Sequence, residues 1–213
     1  MFFKIDKKIL ATNDGIYTGV VIVEGIDNKK ESAGIHEILQ NEVRIISESF
    51  ADKSVKGVKE LDLYREALKS YNINPSKYPC SIEALLNRIV KKGEFPSISP
   101  IVDLANYISL KYKVPVGVHD TDSLDNDLVV RLSNDDDCKI EDNNGNDVLK
   151  PGEPIYTCGH SVRTRRWMWR QLPAGRVDEN STNFILPIDG FYANHDRVDA
   201  AINELCELIK KYF

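Results

Sequence analysis

Apolar residues recur every three to four positions in some stretches of the chain and every second position in others, and the order of the two patterns predicts the architecture. The clearest stretch is FPSISPIVDLANYISLKYKVPVGVHDTD, residues 95–122. Ser99 is a favoured N-cap and Pro100 suits the first helical position, where its missing amide proton has no partner to lose. Ile101, Leu104, Ala105, Ile108 and Tyr112 form the predicted core face of this helix; Asp103, Asn106 and Lys113 fall largely outside it. Pro115 ends the helix. Val114 to Val118 is rich in β-branched residues and is predicted as a strand, with Gly117 and His119 on one side and Val118 and Asp120 on the other.

The same reasoning predicts a buried strand at Ile16 to Val23 and helices at Ile35 to Phe50, at Lys59 to Tyr71 and after Ser81, the last leaving at Gly93. Beyond Asp127 the period becomes two. Strands are predicted at Leu128 to Leu132, Cys138 to Ile140 with an Asn144-Gly145 turn to Val148 and Leu149, Ile155 to Cys158, Arg163 to Trp169, and Phe184 to Ile188. Asn194 is the predicted cap of a terminal helix with Val198, Ile202, Leu205 and Ile209 inside. Helices followed by strands and a closing helix imply an α+β fold: a mixed or antiparallel sheet, or a sandwich, with packed helices. The chain is expected to hold an N-terminal strand-helix segment, 1–56, packing on a core of 57–213 within one structural unit. The expected surface against which the helices near 82–92 and 101–112 pack is one sheet holding both 114–119 and 163–169.

Length and charge narrow the possibilities. A chain of 213 residues can bury a large core without disulfide or metal support. Its four cysteines, Cys80, Cys138, Cys158 and Cys206, lie far apart with no CxxC pair, and MFFKIDKKIL lacks the apolar core of a secretory signal. A reducing, cytoplasmic setting and no membrane role are expected. The net charge of −5 argues against a generic nucleic-acid coat, so any RNA contact must be local. There is no GxxxxGK[ST], GxSxG or HExxH, and neither a cofactor nor a metal is called for.

Three features could carry chemistry. RTRRWMWR, 163–170, holds four of the ten arginines; as a strand it would set Arg163, Arg165, Trp167 and Trp169 on one face and Thr164, Arg166, Met168 and Arg170 on the other. Two arginines beside two indoles suit phosphate pairing and base stacking, whereas core tryptophans with arginines in surface ion pairs give the same sequence. His119 with Asp120 and Asp122 could be a general base with carboxylate neighbours, or a surface histidine beside a turn. Cys158-Gly-His160 lacks the spacing of a zinc site and reads as a tight turn.

SISPIVDLANYISLKYKVPVGVHDTD, together with NINPSKYPCSIEALLNR at 72–88, PGEPIY at 151–156 and RRWMWRQ at 165–171, resembles the tRNA-binding and editing domain of the phenylalanyl-tRNA synthetase β subunit and its free-standing relatives. The resemblance implies a trans-acting editing hydrolase that deacylates a mischarged aminoacyl-tRNA with a positioned water, on a chain with no room for an aminoacylation domain. Its partners would be the aminoacylated 3′ end of tRNA and an amino-acid moiety held in a pocket. The family's editing-site histidine falls on Gly117, and its acidic reader of a side-chain hydroxyl falls on Pro187. His119 and Asp189 each stand two residues further on and in the same strand phase. The implied site is therefore His119 as the water-orienting catalytic residue, with Gly117, Asp120, Arg165, Trp167, Trp169, Arg170 and Asp189 binding substrate. The alternative is a non-catalytic module that binds an amino-acid-like small molecule or a tRNA end; both departures from the family pattern and the acidic charge favour it.

Overall fold

A computed structural model describes residues 2–29, 32–50, 54–93, 95–137 and 148–213. The predicted Cys138 to Ile140 strand and its Asn144-Gly145 turn lie outside the described residues. In chain order the elements are β1 (Phe3–Ile5), α1 (Lys7–Thr12), β2 (Ile16–Val23), α2 (Ala33–Ser49), α3 (Asp62–Ser70), α4 (Ser81–Lys92), α5 (Pro100–Tyr112), β3 (His119–Asp120), β4 (Leu128–Leu132), β5 (Pro154–Cys158), β6 (Ser161–Arg165), β7 (Arg170–Gln171), β8 (Phe184–Phe191) and α6 (His195–Tyr212).

The strands form two sheets, in the orders β1-β4-β5-β6-β7 and β2-β8-β3. The first is mixed, because β1 runs parallel to β4 (Phe3 opposite Leu128) while its other pairings are antiparallel. Segments 114–119 and 163–169 thus lie in different sheets. The architecture is α+β with packed helices, as the order of patterns implied.

Helix α5 starts where Ser99 and Pro100 place it, but it is buried on far more than one stripe: Asp103, Tyr107, Ser109 and Leu110 are buried as well. The cause is its position among α2, α4 and α6. A helix enclosed by three others is covered nearly all round. Asp103 is buried because it closes the helix start: its Oδ1 accepts the Ile98 amide at 2.9 Å and it also receives the Ser97 hydroxyl, while the Ser99 side chain makes no capping bond. Asn194 likewise occupies the cap position of α6 without capping it. Its Oδ1 takes the Phe191 amide at 2.7 Å and its Nδ2 donates to the buried Tyr64 hydroxyl at 2.8 Å.

One apolar core runs from Ile9 through Ile35, Leu86 and Ile108 to Leu205, with a small satellite of Leu149, Ile155 and Val162. α6 lies close on β2 and β8 because Gly190 leaves space for it. A Cβ at 190 would stand 2.4 Å from Val198 Cγ2, below any real carbon contact. Gly190→Ala is therefore expected to lower stability by about 1–3 kcal/mol, measured by urea unfolding, since a packed core yields little room for an added methyl.

Candidate functional site

The two sheets meet at a polar cluster. β8 is three residues longer than its apolar pattern suggests, so Asp189 lies within it, opposite Thr18 on β2. On the other side of β8 runs the segment after α5: the Gly117 amide donates to Pro187 O at 2.9 Å, and the Asp189 amide donates to Pro115 O at 3.0 Å. Only Val116 forms a bridge there, to Ile188, and regular pairing begins at His119. Pro115 brings no N–H to the ladder, which is why the predicted 114–118 strand is reduced to these isolated contacts.

Asp189 is 4 % exposed and is held from three directions. Tyr156 Oη, from β5 of the other sheet, donates to its two oxygens at 2.8 and 2.9 Å; Trp167 Nε1 donates at 3.1 Å and Thr18 Oγ1 at 3.4 Å, both to Oδ1. Burial raises the Asp189 carboxyl to about 6 from 3.8, and the three donors hold it from going higher. The same burial and the neighbouring Asp189 charge push the Tyr156 hydroxyl well above its usual range. Oδ1 is thus largely occupied. Oδ2 has capacity left to meet a further donor.

His119 is 2 % exposed and lies stacked on Tyr156, ring centroids 5.5 Å apart. Burial, with the nearby Arg163 charge, lowers its pKa from 6.5 to about 3, so the ring is neutral at pH 7. Its Nδ1 has no hydrogen-bond partner among the described protein groups. Gly117 makes room for this ring: a Cβ there would stand 3.2 Å from His119 Nε2 and 3.2 Å from Pro187 Cγ. A histidine at 117 and one at 119 could not both occupy this backbone without movement. The carboxylate neighbours expected for His119 are turned away. Strand alternation points Asp120 to the opposite side, where it accepts the Ser181 hydroxyl at 2.8 Å, and Asp122 is bonded to Asn183 Nδ2 at 2.9 Å.

These groups wall a cavity of about 160 Å³. Gly117, His119, Trp167, Trp169 and Asp189 line it; Asp120, Arg165 and Arg170 do not. Residues that the pattern did not single out complete the wall: Tyr156, which belongs to the PGEPIY segment, and Val102, Ala105 and Asn106 from the face of α5.

The arginine-rich segment departs most from expectation. β6 ends at Arg165, and Arg166 and Trp167 both adopt left-handed backbone angles, φ 49° and 53°, before β7 begins at Arg170. Such angles cost roughly 1–2 kcal/mol per residue. They are offset where the turn is anchored, by the Trp167 amide donating to Pro154 O at 2.7 Å and by the indole bond to Asp189. The turn breaks strand phase, so the four residues assigned to one face separate. Trp167 goes into the core. Arg165 is buried and pairs with Glu153 through two 2.9 Å bonds, while Arg163 is buried and donates to Ser123 Oγ at 2.9 Å. Arg166 packs over the Tyr78 ring, 3.6 Å from its centroid, and over Trp169 at 4.5 Å. Arg170 is exposed.

The opposed titrations of Asp189 and His119 give a prediction. The folded pKa of Asp189 is raised, so its contribution to stability is full below pH 4 and is lost as pH rises through about 6. The folded pKa of His119 is lowered, so its penalty is absent above pH 6.5 and grows as pH falls toward 3. Each is worth about 1.4 kcal/mol per pH unit, and between pH 4 and 6 the two nearly cancel. Asp189→Asn keeps an acceptor for Tyr156 and Trp167 but removes one titration. Its unfolding free energy is expected to fall, relative to wild type, by about 2 kcal/mol more at pH 4 than at pH 6, measured by urea melts across that range.

A two-sheet α+β domain with a small, polar-floored cavity between its sheets defines the structural class. The B3/4 domain family matches residues 63–213, and the chain belongs to that family. Among solved structures it is similar to an N-terminal fragment of the phenylalanyl-tRNA synthetase β subunit from Pyrococcus horikoshii, with a TM-score of 0.52 at 11 % identity, over 99 % of this chain. The chain spans 48 % of that fragment's length. No curated protein matches it in sequence. Among the described residues no helix is long and apolar enough to cross a membrane, and no group of three His, Cys, Asp or Glu is placed to hold a metal ion.

Proposed function

We propose that this chain binds the aminoacylated 3′ end of a tRNA and hydrolyses the ester of a mischarged amino acid with a water positioned in the cavity. The observation that carries the reading is the cavity itself. Its volume of about 160 Å³ is close to that of an engineered cavity of roughly 150 Å³ that accepts benzene, so a ring-sized amino-acid side chain fits. Asp189 Oδ2 reads a hydrogen-bond donor on that side chain, and an analogue lacking the donor is rejected because the buried carboxyl is left short of a partner. Trp169, half-buried at the cavity wall, offers a ring on which the terminal base stacks. His119 orients the water. An imidazole with pKa about 3 is too weak a base to take up a proton at pH 7, so it acts by accepting a hydrogen bond. Little more is required of it: an aminoacyl ester is already activated, and holding water near its carbonyl lowers the barrier without a covalent intermediate.

That weak basicity also favours a second reading, in which the cavity binds an amino-acid-like ligand or a tRNA end without catalysis. Amide-linked aminoacyl-adenosine analogues, which cannot be hydrolysed as esters, separate the outcomes. Calorimetry is expected to show tighter binding of analogues whose side chain carries a hydroxyl. Binding by none of them sinks both readings; binding without turnover of any mischarged tRNA leaves the second.

A further inference from the structure

A groove on the face formed by α3, α4 and the segment between them has a volume of about 870 Å³ and is lined by fourteen residues, of which seven are Lys or Arg and one, Glu83, is acidic. A quarter of the chain's 28 basic residues therefore line one groove of a protein with net charge −5. Glu83 is already neutralised by Arg65, at 2.9 and 3.1 Å, and Lys69 pairs with Glu66 at 2.7 Å. Lys56, Arg88, Lys91 and Lys92 are exposed and make no ion pair among the described residues. Lys91 and Lys92 also complement the α4 dipole, but Arg88 stands a turn earlier and Lys56 and Lys77 come from other segments, so the helix end does not account for the cluster.

The groove and the cavity are separate spaces that share no lining residue, but they adjoin along the chain. The groove runs to Pro79, and Ser81, two residues on, lines the cavity wall, where its amide donates to Met168 O at 2.7 Å. Tyr78, next to Pro79 in the chain, meets the cavity residue Trp169 edge-on, centroids 5.0 Å apart. We propose that this groove holds the sugar–phosphate backbone of the single-stranded RNA end whose terminal residue reaches the cavity. RNA is thus gripped by α4 and its flanking segments, not by the arginine-rich 163–170 segment. The proposal rests on the tRNA reading above and deepens it. An RNA backbone fits better than a protein partner because half of the lining residues are cations, whereas protein interfaces desolvate a charge-poor core.

The test is binding of an unacylated tRNA transcript, followed across a salt series, to wild type and to Arg88→Gln/Lys91→Gln/Lys92→Gln. These substitutions are on the surface, and thermal melts should coincide within a few degrees. Single-strand phosphate contacts contribute about 0.7 each to the log–log salt slope, so the slope should drop by about two and affinity about tenfold or more at low salt. Lys56→Gln/Lys77→Gln, in segments outside α4, should shift both in the same direction, and Arg170→Gln should leave both unchanged. Hydrolysis of an aminoacyl-adenosine ester, which lacks the backbone, should be the same in wild type and groove variants. An unchanged slope in the triple variant, absence of RNA binding by wild type, or displacement of RNA by polyglutamate as readily as by unlabelled RNA of equal charge would each overturn the proposal. RNA binding through the groove with no ester hydrolysis would instead overturn the deacylase reading and leave the groove intact.

Discussion

Arg165→Ala is expected to destabilise the fold by about 3 kcal/mol, the largest loss from any single arginine of the 163–170 segment. Its side chain is 4 % exposed and its partner Glu153 9 % exposed, with two parallel bonds of 2.9 Å between them. Removing one member of a buried pair leaves the other charge desolvated, which costs about 3–5 kcal/mol. The lower end applies because Arg166 Nη2 lies 3.5 Å from the same carboxylate and keeps part of the compensation. Arg170→Ala, on exposed surface, should change stability by less than about 0.5 kcal/mol. Urea unfolding of the two variants separates them. A third variant distinguishes lost pairing from lost packing: Arg165→Met with Glu153→Leu removes both charges and should recover most of the loss. If Arg165→Ala is as stable as wild type, the pair is not desolvated and the arginine is available to a ligand after all.

His119→Ala is expected to slow single-turnover deacylation by about a hundredfold, on the proposed function, with little change in binding of an amide-linked analogue. The reasoning is that a group which only positions water contributes through orientation, where effects of this order are ordinary, and makes no contact with the amino-acid side chain. His119→Gln, which retains a hydrogen-bond acceptor, should recover part of the rate. Asp189→Ala should act on the other axis. It should weaken selectivity between side chains with and without a donor by about tenfold to a hundredfold while leaving the rate on the poorer substrate nearly unchanged. The pH profile adds a further check: with His119 neutral throughout, the wild-type profile between pH 5 and 8 should carry one inflection, near 6, and Asp189→Asn should abolish it. Activity on mischarged tRNA that is unaffected by His119→Ala would remove the histidine from the mechanism without removing the mechanism. Wild-type inactivity on every mischarged tRNA would leave binding as the function.

Much of the architecture was legible because its signals are local. The Ser99-Pro100 start of α5, Gly93 in left-handed geometry after α4, and the apolar run of β2 depend on residues within a turn or two of one another. The N-terminal β1 and α1 were missed for the opposite reason. Phe3–Ile5 is three residues long, and what makes it a strand is a parallel partner at Leu128–Val130, far away in sequence. His119 and Asp189 reach a common cavity wall because the segment carrying His119 runs alongside β8, which carries Asp189; the cavity also brought in Tyr156 from the other sheet, which no period in the sequence relates to them.

The sequence by itself determined the class of fold and most of its helices and strands, because periodicity, caps and breakers act over a few residues, while the short list from which the cavity wall is drawn came through the family resemblance. Only the tertiary structure decided where the charges went. Four arginines in eight residues read equally as an RNA-facing strand and as buried ion pairs, and the choice hung on two left-handed residues, Arg166 and Trp167, made tolerable by bonds to Pro154 and Asp189. Whether Asp103 caps a helix start, whether Asp189 titrates near 6, and whether lysines from separate segments share a groove are likewise set by distances between segments remote in sequence. Burial and Coulomb energies depend on those distances, and a linear pattern does not contain them.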